Sequence, residues 1–200
     1  MNHDSSSLAI LDPVSNQDVP GSIRARASAE STRVSGVEAV ARGAWEGGVE
    51  IATGYPGAPA TGIVQALEAL EGVSTEWAAN EKVALEVAIG ASYAGARAMA
   101  VMKHVGLNVA CDPLHSIAYA GIRGGLVIAV GDDPGARSSQ NEQDSRWLAR
   151  SAGIPVLEPS NVEEARAFAA EAFRLSEATG LPVLLRLVTT ICYAHDRIPS

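Results

Sequence analysis

A single acidic residue, Glu81, stands where a short, buried strand at residues 74–77 is predicted to pass into an apolar, alanine-rich helix. Asn80 can cap that helix, because its side chain can accept a hydrogen bond from a free backbone N–H of the first turn. Glu81 then lies near the positive end of the helix dipole, at the edge of the sheet where open α/β folds bind ligands. This segment alone favours a solvated glutamate that helps the helix to start, so a chemical role for Glu81 depends on its neighbours.

Three further loops follow predicted strands, and they are the other places where the chain could meet a ligand. They comprise residues 54–59 (Gly-Tyr-Pro-Gly-Ala-Pro), residues 102–108 (Met-Lys-His-Val-Gly-Leu-Asn), and a longer loop with the segments 131–135 and 138–146. Substrate sites gather at the carboxyl ends of parallel strands, which is where these loops are expected to lie. Each loop also has a purely structural explanation. Residues 54–59 can form a rigid Pro/Gly turn, the histidine in 102–108 can make structural hydrogen bonds, and the third loop can be a solvated polar loop.

Together with residues 80–86 (Asn-Glu-Lys-Val-Ala-Leu-Glu), these loops resemble the pyrimidine-binding domain of thiamine-diphosphate-dependent 2-oxoacid:ferredoxin oxidoreductases. The chain is most similar to the N-terminal part of the indolepyruvate:ferredoxin oxidoreductase alpha subunit, from about residue 34 to residue 190. Four motifs in the same order make the resemblance more specific than any one of them. It implies an α/β fold in three layers, α/β/α, with a parallel six-stranded sheet.

The resemblance implies that Glu81 is catalytic and binds the cofactor. In the family, a glutamate hydrogen-bonds to N1′ of the aminopyrimidine and favours its imino form, whose 4′-nitrogen takes the proton from C2 of the thiazolium. Such a carboxyl group must be shielded from water to hold a proton. The small and apolar residues Ala78, Ala79 and Val83 around Glu81 permit a partly dry site.

The resemblance also implies contacts for other loop residues. The cofactor would be met by Tyr55, Pro56 and Gly106, and the substrate by Ala58, His104 and Asn108, with Arg137 and Gln143 as further candidates. Many family members have a threonine at the position of Ala58, where it helps to bind the substrate carboxylate, and two serines where this chain has Ala60 and Thr61. This departure leaves the choice of substrate, and turnover itself, open.

The implied reaction is the oxidative decarboxylation of an aryl-2-oxoacid to an acyl-CoA, with ferredoxin as electron acceptor. The family holds Mg²⁺ and the cofactor diphosphate with a Gly-Asp-Gly segment, and this sequence has none; it also lacks a C-x-x-C for an iron–sulfur cluster. We therefore expect half a site, completed by a partner domain or subunit that carries Mg²⁺ and iron–sulfur clusters. Two alternatives stay open: the alpha subunit of a non-oxidative decarboxylase such as sulfopyruvate decarboxylase, and a non-catalytic assembly subunit.

Composition narrows the partners and the compartment. A net charge of −8 argues against nucleic acid and anionic membranes, since neither would attract this chain. No apolar run approaches the roughly 20 residues that span a bilayer, and the N-terminus lacks the order of a secretory signal. Two distant cysteines, Cys111 and Cys192, indicate buried thiols in a cytoplasmic protein rather than a disulfide or a metal site.

Apolar patterning predicts alternating helices and strands, and hence a parallel sheet covered on both faces. Residues 1–32 show no sustained period and are predicted to be a flexible leader, with the pyrimidine-binding domain at residues 33–200. Capping boxes at residues 35–38 and 160–163 predict two helix starts, the second helix ending near Gly180. Strands are predicted at residues 49–53, 74–77, 98–102, 126–130, 155–157 and 183–188, and a further helix at 60–70.

Overall fold

The computed structural model of the protein describes residues 31–199. Its strands are β1 (Ser31–Ser35), β2 (Ile51–Gly54), β3 (Ser74–Trp77), β4 (Ala98–Lys103), β5 (Leu126–Asp132), β6 (Val156–Leu157), β7 (Val183–Val188) and β8 (His195–Pro199). Its helices are α1 (Gly36–Glu46), α2 (Thr61–Leu67), α3 (Glu81–Ala94), α4 (His104–Val109), α5 (Cys111–Ala120), α6 (Arg146–Ala152), α7 (Val162–Thr179) and α8 (Thr189–Tyr193). The order of strands and helices along the chain confirms the predicted α/β class.

Six strands form one parallel sheet in the order β3-β2-β4-β5-β7-β6. β4 and β5 are buried along their whole length, as expected for central strands covered on both faces. The prediction that residues 74–77 form a buried strand was wrong in one respect. β3 occupies the edge of the sheet beside β2, and three of its four residues are exposed.

Helices cover both faces of the sheet, which completes the three layers. On one face α1, α2 and α7 pack on the strands through residues such as Val40, Ile63 and Phe173. On the other face α3, α4, α5 and α6 pack through residues such as Leu85 and Leu114. α2 connects β2 to β3 across the first face, and α3 connects β3 to β4, on the other side of β2, across the second face. The direction in which the chain moves through the sheet therefore reverses, and the switch point lies between β2 and β4. Open α/β sheets form a ligand crevice at such a topological switch point.

A second, two-stranded antiparallel sheet joins the two ends of the described chain. β1 pairs with β8, so that Ser31 lies opposite Pro199. β1 includes Ser31 and Thr32, which the sequence analysis assigned to the leader, and the division into a leader and a domain at residue 33 stays a prediction. Sequence patterning missed this pairing because β1 is a short polar segment whose partner lies 160 or more positions away in the chain. Residues 1–30, which make up the rest of the predicted leader, lie outside the described residues.

Capping explains where α1 and α7 begin. The predicted box at α1 is confirmed: Ser35 accepts from the Glu38 N–H, and Glu38 accepts from the Ser35 N–H. The box predicted at residues 160–163 is displaced by one residue, because Asn161 caps α7 and Glu164 binds back to Ser160. Because the backbone of Asn161 is extended, α7 begins at the next residue, Val162. Glu164, rather than Glu163, is therefore the third residue of the helix.

α7 is the longest helix in residues 31–199, with 18 residues. It ends at Gly180 in the left-handed conformation, as predicted, because glycine adopts that conformation without steric cost. One side of α7 is buried in the core and the other carries charged residues. Within the described part of the chain, no helix is both long and apolar enough to cross a membrane.

Candidate functional site

The loop after β2 packs against the end of β4 at the switch point of the sheet. Gly57, in the loop after β2, lies so close to the end of β4 that a methyl group on it would stand 3.0 Å from Cβ of Lys103. The next strand closes the other side, since a methyl group on Gly131 would stand 3.1 Å from the side chains of Pro59 and Ala60. The loop at residues 54–59 is thereby packed over the carboxyl ends of two central strands.

α3 starts at the edge of this crevice and carries Glu81 as its first residue. The predicted cap is confirmed, because Asn80 Oδ1 accepts from the Val83 N–H at 3.0 Å. A buried bond ties the same turn to the sheet: Thr53 Oγ1, on β2, donates to the carbonyl oxygen of Ala84 at 2.7 Å. These two bonds fix the start of α3 relative to β2, and with it the backbone of Glu81.

The carboxyl group of Glu81 lies against Gly106 of α4. A methyl group on Gly106 would stand 2.4 Å from Glu81 Oε1 and 2.5 Å from its Cγ, so only glycine fits there. Glu81 is half-buried. Its carboxylate makes no hydrogen bond or ion pair with any residue from 31 to 199, unlike the two buried carboxylates at the end of β5, Asp132 and Asp133. An acidic group held by close packing, with its oxygens left free, is suited to bind a polar ligand.

Two neighbouring carboxylates anchor the long loop that follows β5. Asp132 accepts from the N–H and the hydroxyl of Ser145 and pairs with Arg186 Nε at 2.7 Å. Asp133 accepts from the Ser139 hydroxyl at 2.6 Å and from the Ser138 N–H at 2.8 Å. Both aspartates are buried. The Ser139 hydroxyl and the Ser138 N–H, with the hydroxyl of Thr189, hold the pKa of Asp133 well below its usual range.

The anchored loop covers the start of α4. His104 is fully buried, and its Nε2 donates to the carbonyl oxygen of Asn141 at 3.2 Å. Because a carbonyl oxygen only accepts, Nε2 carries the proton, and Nδ1 has no hydrogen-bond partner within residues 31–199. Asn108, one turn later, donates to Gln143 Oε1 at 3.0 Å. The structure therefore brings Asn108 together with Gln143, while His104 lies beneath the loop.

The remaining predicted contact residues lie on the open side of the crevice. Tyr55, Pro56 and Ala58 follow β2 and are exposed, and Arg137 is exposed in the loop after β5. Tyr55 is held there by its backbone, whose N–H donates to the carbonyl oxygen of Val101 on β4. Glu81 and Gly106 are in contact, whereas the exposed residues have free side-chain surface that faces away from the packed core.

Sequence reasoning did not single out Lys103, Asp132 or Asp133 as side chains that shape the site. Each lies at or just after the carboxyl end of a central strand and is buried, which is unusual for a charged residue. A charged residue directly after an apolar strand was the available signal. Lys103 lies within the motif 102–108, and the two aspartates follow the run at 126–130.

Arg186 joins the loop anchors to a wider ion network. It contacts Asp132, Glu158 and Asp144, and Arg146 contacts Asp144 and Glu158 in turn. Hydrogen bonds from Arg146 lower the pKa of Asp144 to about 2. An open cleft of about 540 Å³ lies beside this network, lined in part by Glu142 and Arg146. Its arginines are already paired with carboxylates, so the cleft offers no unpaired positive charge.

The comparisons with known proteins agree with this geometry. A sequence profile of the thiamine-diphosphate-binding domain of pyruvate flavodoxin/ferredoxin oxidoreductases matches residues 42–196. The solved 2-oxoglutarate:ferredoxin oxidoreductase from Magnetococcus marinus superposes with a TM-score of 0.78 over 84% of this chain and 31% of that chain. At 21% sequence identity, this likeness shows the fold, and it confirms the predicted architecture.

Relatives at higher identity share most of the sequence. The indolepyruvate oxidoreductase subunit IorA of Archaeoglobus fulgidus is 51% identical over an alignment of 175 residues that covers 84% of this chain and 28% of that protein. The 2-oxoglutarate synthase subunit KorA of Methanothermobacter thermautotrophicus is 29% identical over 82% of this chain and 46% of its own length. This chain thus spans less than half the length of either relative. Since the profile covers most of the sequence, the chain belongs to the family of thiamine-diphosphate-binding domains of pyruvate flavodoxin/ferredoxin oxidoreductases.

Proposed function

We propose that this chain is the pyrimidine-binding half of the thiamine diphosphate site in a 2-oxoacid:ferredoxin oxidoreductase of the indolepyruvate type. The reaction converts an aryl-2-oxoacid, coenzyme A and two oxidised ferredoxins into an acyl-CoA, CO₂, a proton and two reduced ferredoxins. The observation that carries the proposal is the Glu81 carboxylate, which lies against Gly106 and has no partner among the described residues. The IorA relatives, whose name includes indolepyruvate, favour an aryl substrate.

The residues at the crevice fit an aminopyrimidine ring. A planar base with a ring nitrogen needs a carboxyl partner. Glu81 supplies it, and the absence of a side chain at Gly106 leaves the room in which that carboxyl group lies. When bound, thiamine diphosphate supplies the carbon nucleophile for the 2-oxo carbon and takes up the electron pair that decarboxylation leaves.

The chain's own residues then have separate tasks. Glu81 holds a proton at N1′ of the pyrimidine, which a carboxyl group can do and an amide cannot. Thr53 and Asn80 fix the turn that carries Glu81, so that little freedom is lost when the cofactor binds. Tyr55 and Pro56, exposed beside the crevice, would contact the ring of a bound cofactor. The loop anchored by Asp132 and Asp133 closes the substrate end over His104 and Asn108.

A partner completes the proposed site. Within residues 31–199 no group of histidine, cysteine or acidic side chains is arranged to hold a metal ion. We infer that Mg²⁺, the cofactor diphosphate and the iron–sulfur clusters are held by a partner domain or subunit, and that ferredoxin accepts the electrons there. Both cysteines are free thiols, which supports a cytoplasmic location.

The relatives weigh against the alternatives. They are named as oxidoreductase and synthase subunits, so the comparisons do not favour a non-oxidative decarboxylase. The Magnetococcus structure contains 2-oxoglutarate, coenzyme A and succinyl-CoA, which supports oxidative transfer to coenzyme A as the reaction class. A non-catalytic role rests on Ala58 alone.

Replacement of Glu81 by glutamine tests the proposal. In the reconstituted complex, Glu81→Gln should keep the fold and the cofactor but slow hydrogen–deuterium exchange at C2 of bound thiamine diphosphate, measured by NMR after acid quench. Glu86→Gln is the matched control, because Glu86 is exposed on the same helix and lies 3.8 Å from Lys82. Exchange as fast in Glu81→Gln as in the parent would show that Glu81 does not activate the cofactor.

A further inference from the structure

Lys103 is a nearly buried lysine without a carboxylate partner among residues 31–199. It is 8% exposed and makes no ion pair there, and its Nζ donates a single hydrogen bond, at 2.9 Å, to the carbonyl oxygen of Ser138. An ammonium group has three donors, so two remain unused. A buried charge normally has a partner, because burial strips it of water without compensation.

The other buried charges of the described chain are compensated, which sets Lys103 apart. Arg186 and Asp132 form an ion pair at 2.7 Å. Asp133 accepts hydrogen bonds from Ser138, Ser139 and Thr189. Among these buried residues, the positive charge of Lys103 has no carboxylate beside it, whereas that of Arg186, beside the arginine-lined cleft, is paired.

Lys103 also lies where a substrate would enter. It is the last residue of β4, at the switch point of the sheet, and its Cβ is packed against Gly57. Ala58 is the next residue of that loop and has no hydroxyl group to offer a ligand. On the other side, the Ser138 carbonyl that accepts from Lys103 belongs to the loop anchored by Asp133. The ammonium group is thus held between two loops of the crevice.

We propose that Lys103 binds the carboxylate of the 2-oxoacid and is a specificity residue for anionic substrates. The inference rests on the proposed function, since it assigns a residue to the substrate of that same site. Its two unused donors suit a carboxylate, which accepts with two oxygens. The ion pair replaces the hydroxyl group that is missing at Ala58.

The contact with the carboxylate predicts a defined kinetic effect. Lys103→Met keeps the length and apolar body of the side chain but removes the charge. Loss of a charge-assisted hydrogen bond should raise KM for indolepyruvate by about tenfold to a hundredfold. If the contact is equally strong in the ground state and the transition state, kcat should change much less.

The experiment compares an acid with its uncharged ester in the reconstituted complex. KM for indolepyruvate and the inhibition constant of its methyl ester are measured in the parent, Lys103→Met, Lys103→Arg and the control Lys82→Met. Lys82 suits this role because it pairs with Asp112 on the surface of α3 and α5. We expect Lys103→Met to weaken binding of the acid but not of the ester, Lys103→Arg to retain most of the acid's affinity, and Lys82→Met to change neither.

A second measurement does not depend on turnover. The chain has two lysines, Lys82 and Lys103, so lysine labelled with ¹³C at Cε gives two NMR signals when the partners are unlabelled. Lys82→Arg assigns them. Addition of indolepyruvate without coenzyme A should move the Lys103 signal, and the methyl ester should leave it in place. This readout decides the question even if Lys103→Met does not fold.

The outcomes separate the two proposals. An active parent complex in which Lys103→Met leaves KM unchanged, or in which the Lys103 signal does not respond to the acid, overturns the role of Lys103 and leaves the proposed function standing. A parent complex that turns over no 2-oxoacid overturns both. Equal weakening of acid and ester in Lys103→Met shows a packing effect and also overturns the carboxylate contact.

Discussion

Glu81 and Gly106 are in van der Waals contact across the carboxyl edge of the sheet, although they belong to different helices and different motifs. The contact joins the start of α3 to the first turns of α4, on the same face of the sheet. Since the glycine is packed against the carboxyl group itself, its size controls where that carboxyl group can lie. The presence of glycine in the motif 102–108 therefore has a steric reason in this chain.

Gly106→Ala should displace the Glu81 carboxyl group. The added methyl group would stand 2.4 Å from Oε1, and overpacking of this kind costs about 1–3 kcal/mol of folding free energy unless the neighbour moves. We expect slower hydrogen–deuterium exchange at C2 of bound thiamine diphosphate, or a lower free energy of unfolding in urea, or both. Gly90→Ala is the control, because nothing lies within 4 Å of the added methyl group there. A Gly106→Ala protein that matches the parent in both measurements would contradict the contact.

Asp133→Asn should weaken the anchor of the loop in a pH-dependent way. The pKa of Asp133 is lowered in the folded protein, so its carboxylate stabilises the fold above the unfolded pKa of about 3.9. That stabilisation is lost as the pH falls through the lower, folded pKa. The free-energy difference between parent and Asp133→Asn should therefore be largest near neutral pH and shrink in acid.

Urea unfolding of the two proteins between about pH 3 and pH 7 checks this dependence. Asp112→Asn is the control, because Asp112 is an exposed partner of Lys82 and surface pairs contribute little. A difference between parent and Asp133→Asn that stays constant over this range would show that the charge of Asp133 is not what anchors the loop.

Ala58→Thr should improve the use of small substrates in the reconstituted complex. A hydroxyl group at this exposed loop position adds one neutral hydrogen bond to a substrate carboxylate, worth about 0.5–1.5 kcal/mol, or about threefold to tenfold in affinity. We expect a lower KM for pyruvate with turnover retained. A bulky aryl substrate such as indolepyruvate should gain less, because the added methyl group crowds it. Equal changes in kcat/KM for both acids would remove Ala58 as a specificity position.

The 200-residue chain alone should bind thiamine diphosphate weakly or not at all, even with Mg²⁺. Within the described range no cluster of side chains could hold the metal, and the whole sequence lacks a Gly-Asp-Gly segment. Isothermal titration calorimetry of the purified chain with cofactor and Mg²⁺ measures this directly. Micromolar affinity in that titration would show that the chain holds the diphosphate itself, and the half-site proposal would be wrong.

Short-range features were predictable from the sequence. Asn80 caps α3 and places Glu81 in its first turn, because capping depends on residues only three apart. The apolar runs of β4, β5 and β7 gave strands at the predicted positions, since a strand covered on both faces needs apolar residues throughout. The motifs together identified the family, which the comparisons confirm.

Only the tertiary structure decided which of these segments touch. The strand order puts β3 at the edge, and the polar residues Ser74, Thr75 and Glu76 were the one sign of this position in the sequence. The packing of Glu81 on Gly106 and of Gly57 on Lys103 joins segments that lie 25 and 46 positions apart in the sequence. Such contacts depend on how the crossover helices lie across the sheet, and no local pattern of hydrophobicity or capping encodes that. For the same reason the absence of a counter-charge at Lys103 among residues 31–199 follows from the fold, because it depends on which carboxylates the fold brings near.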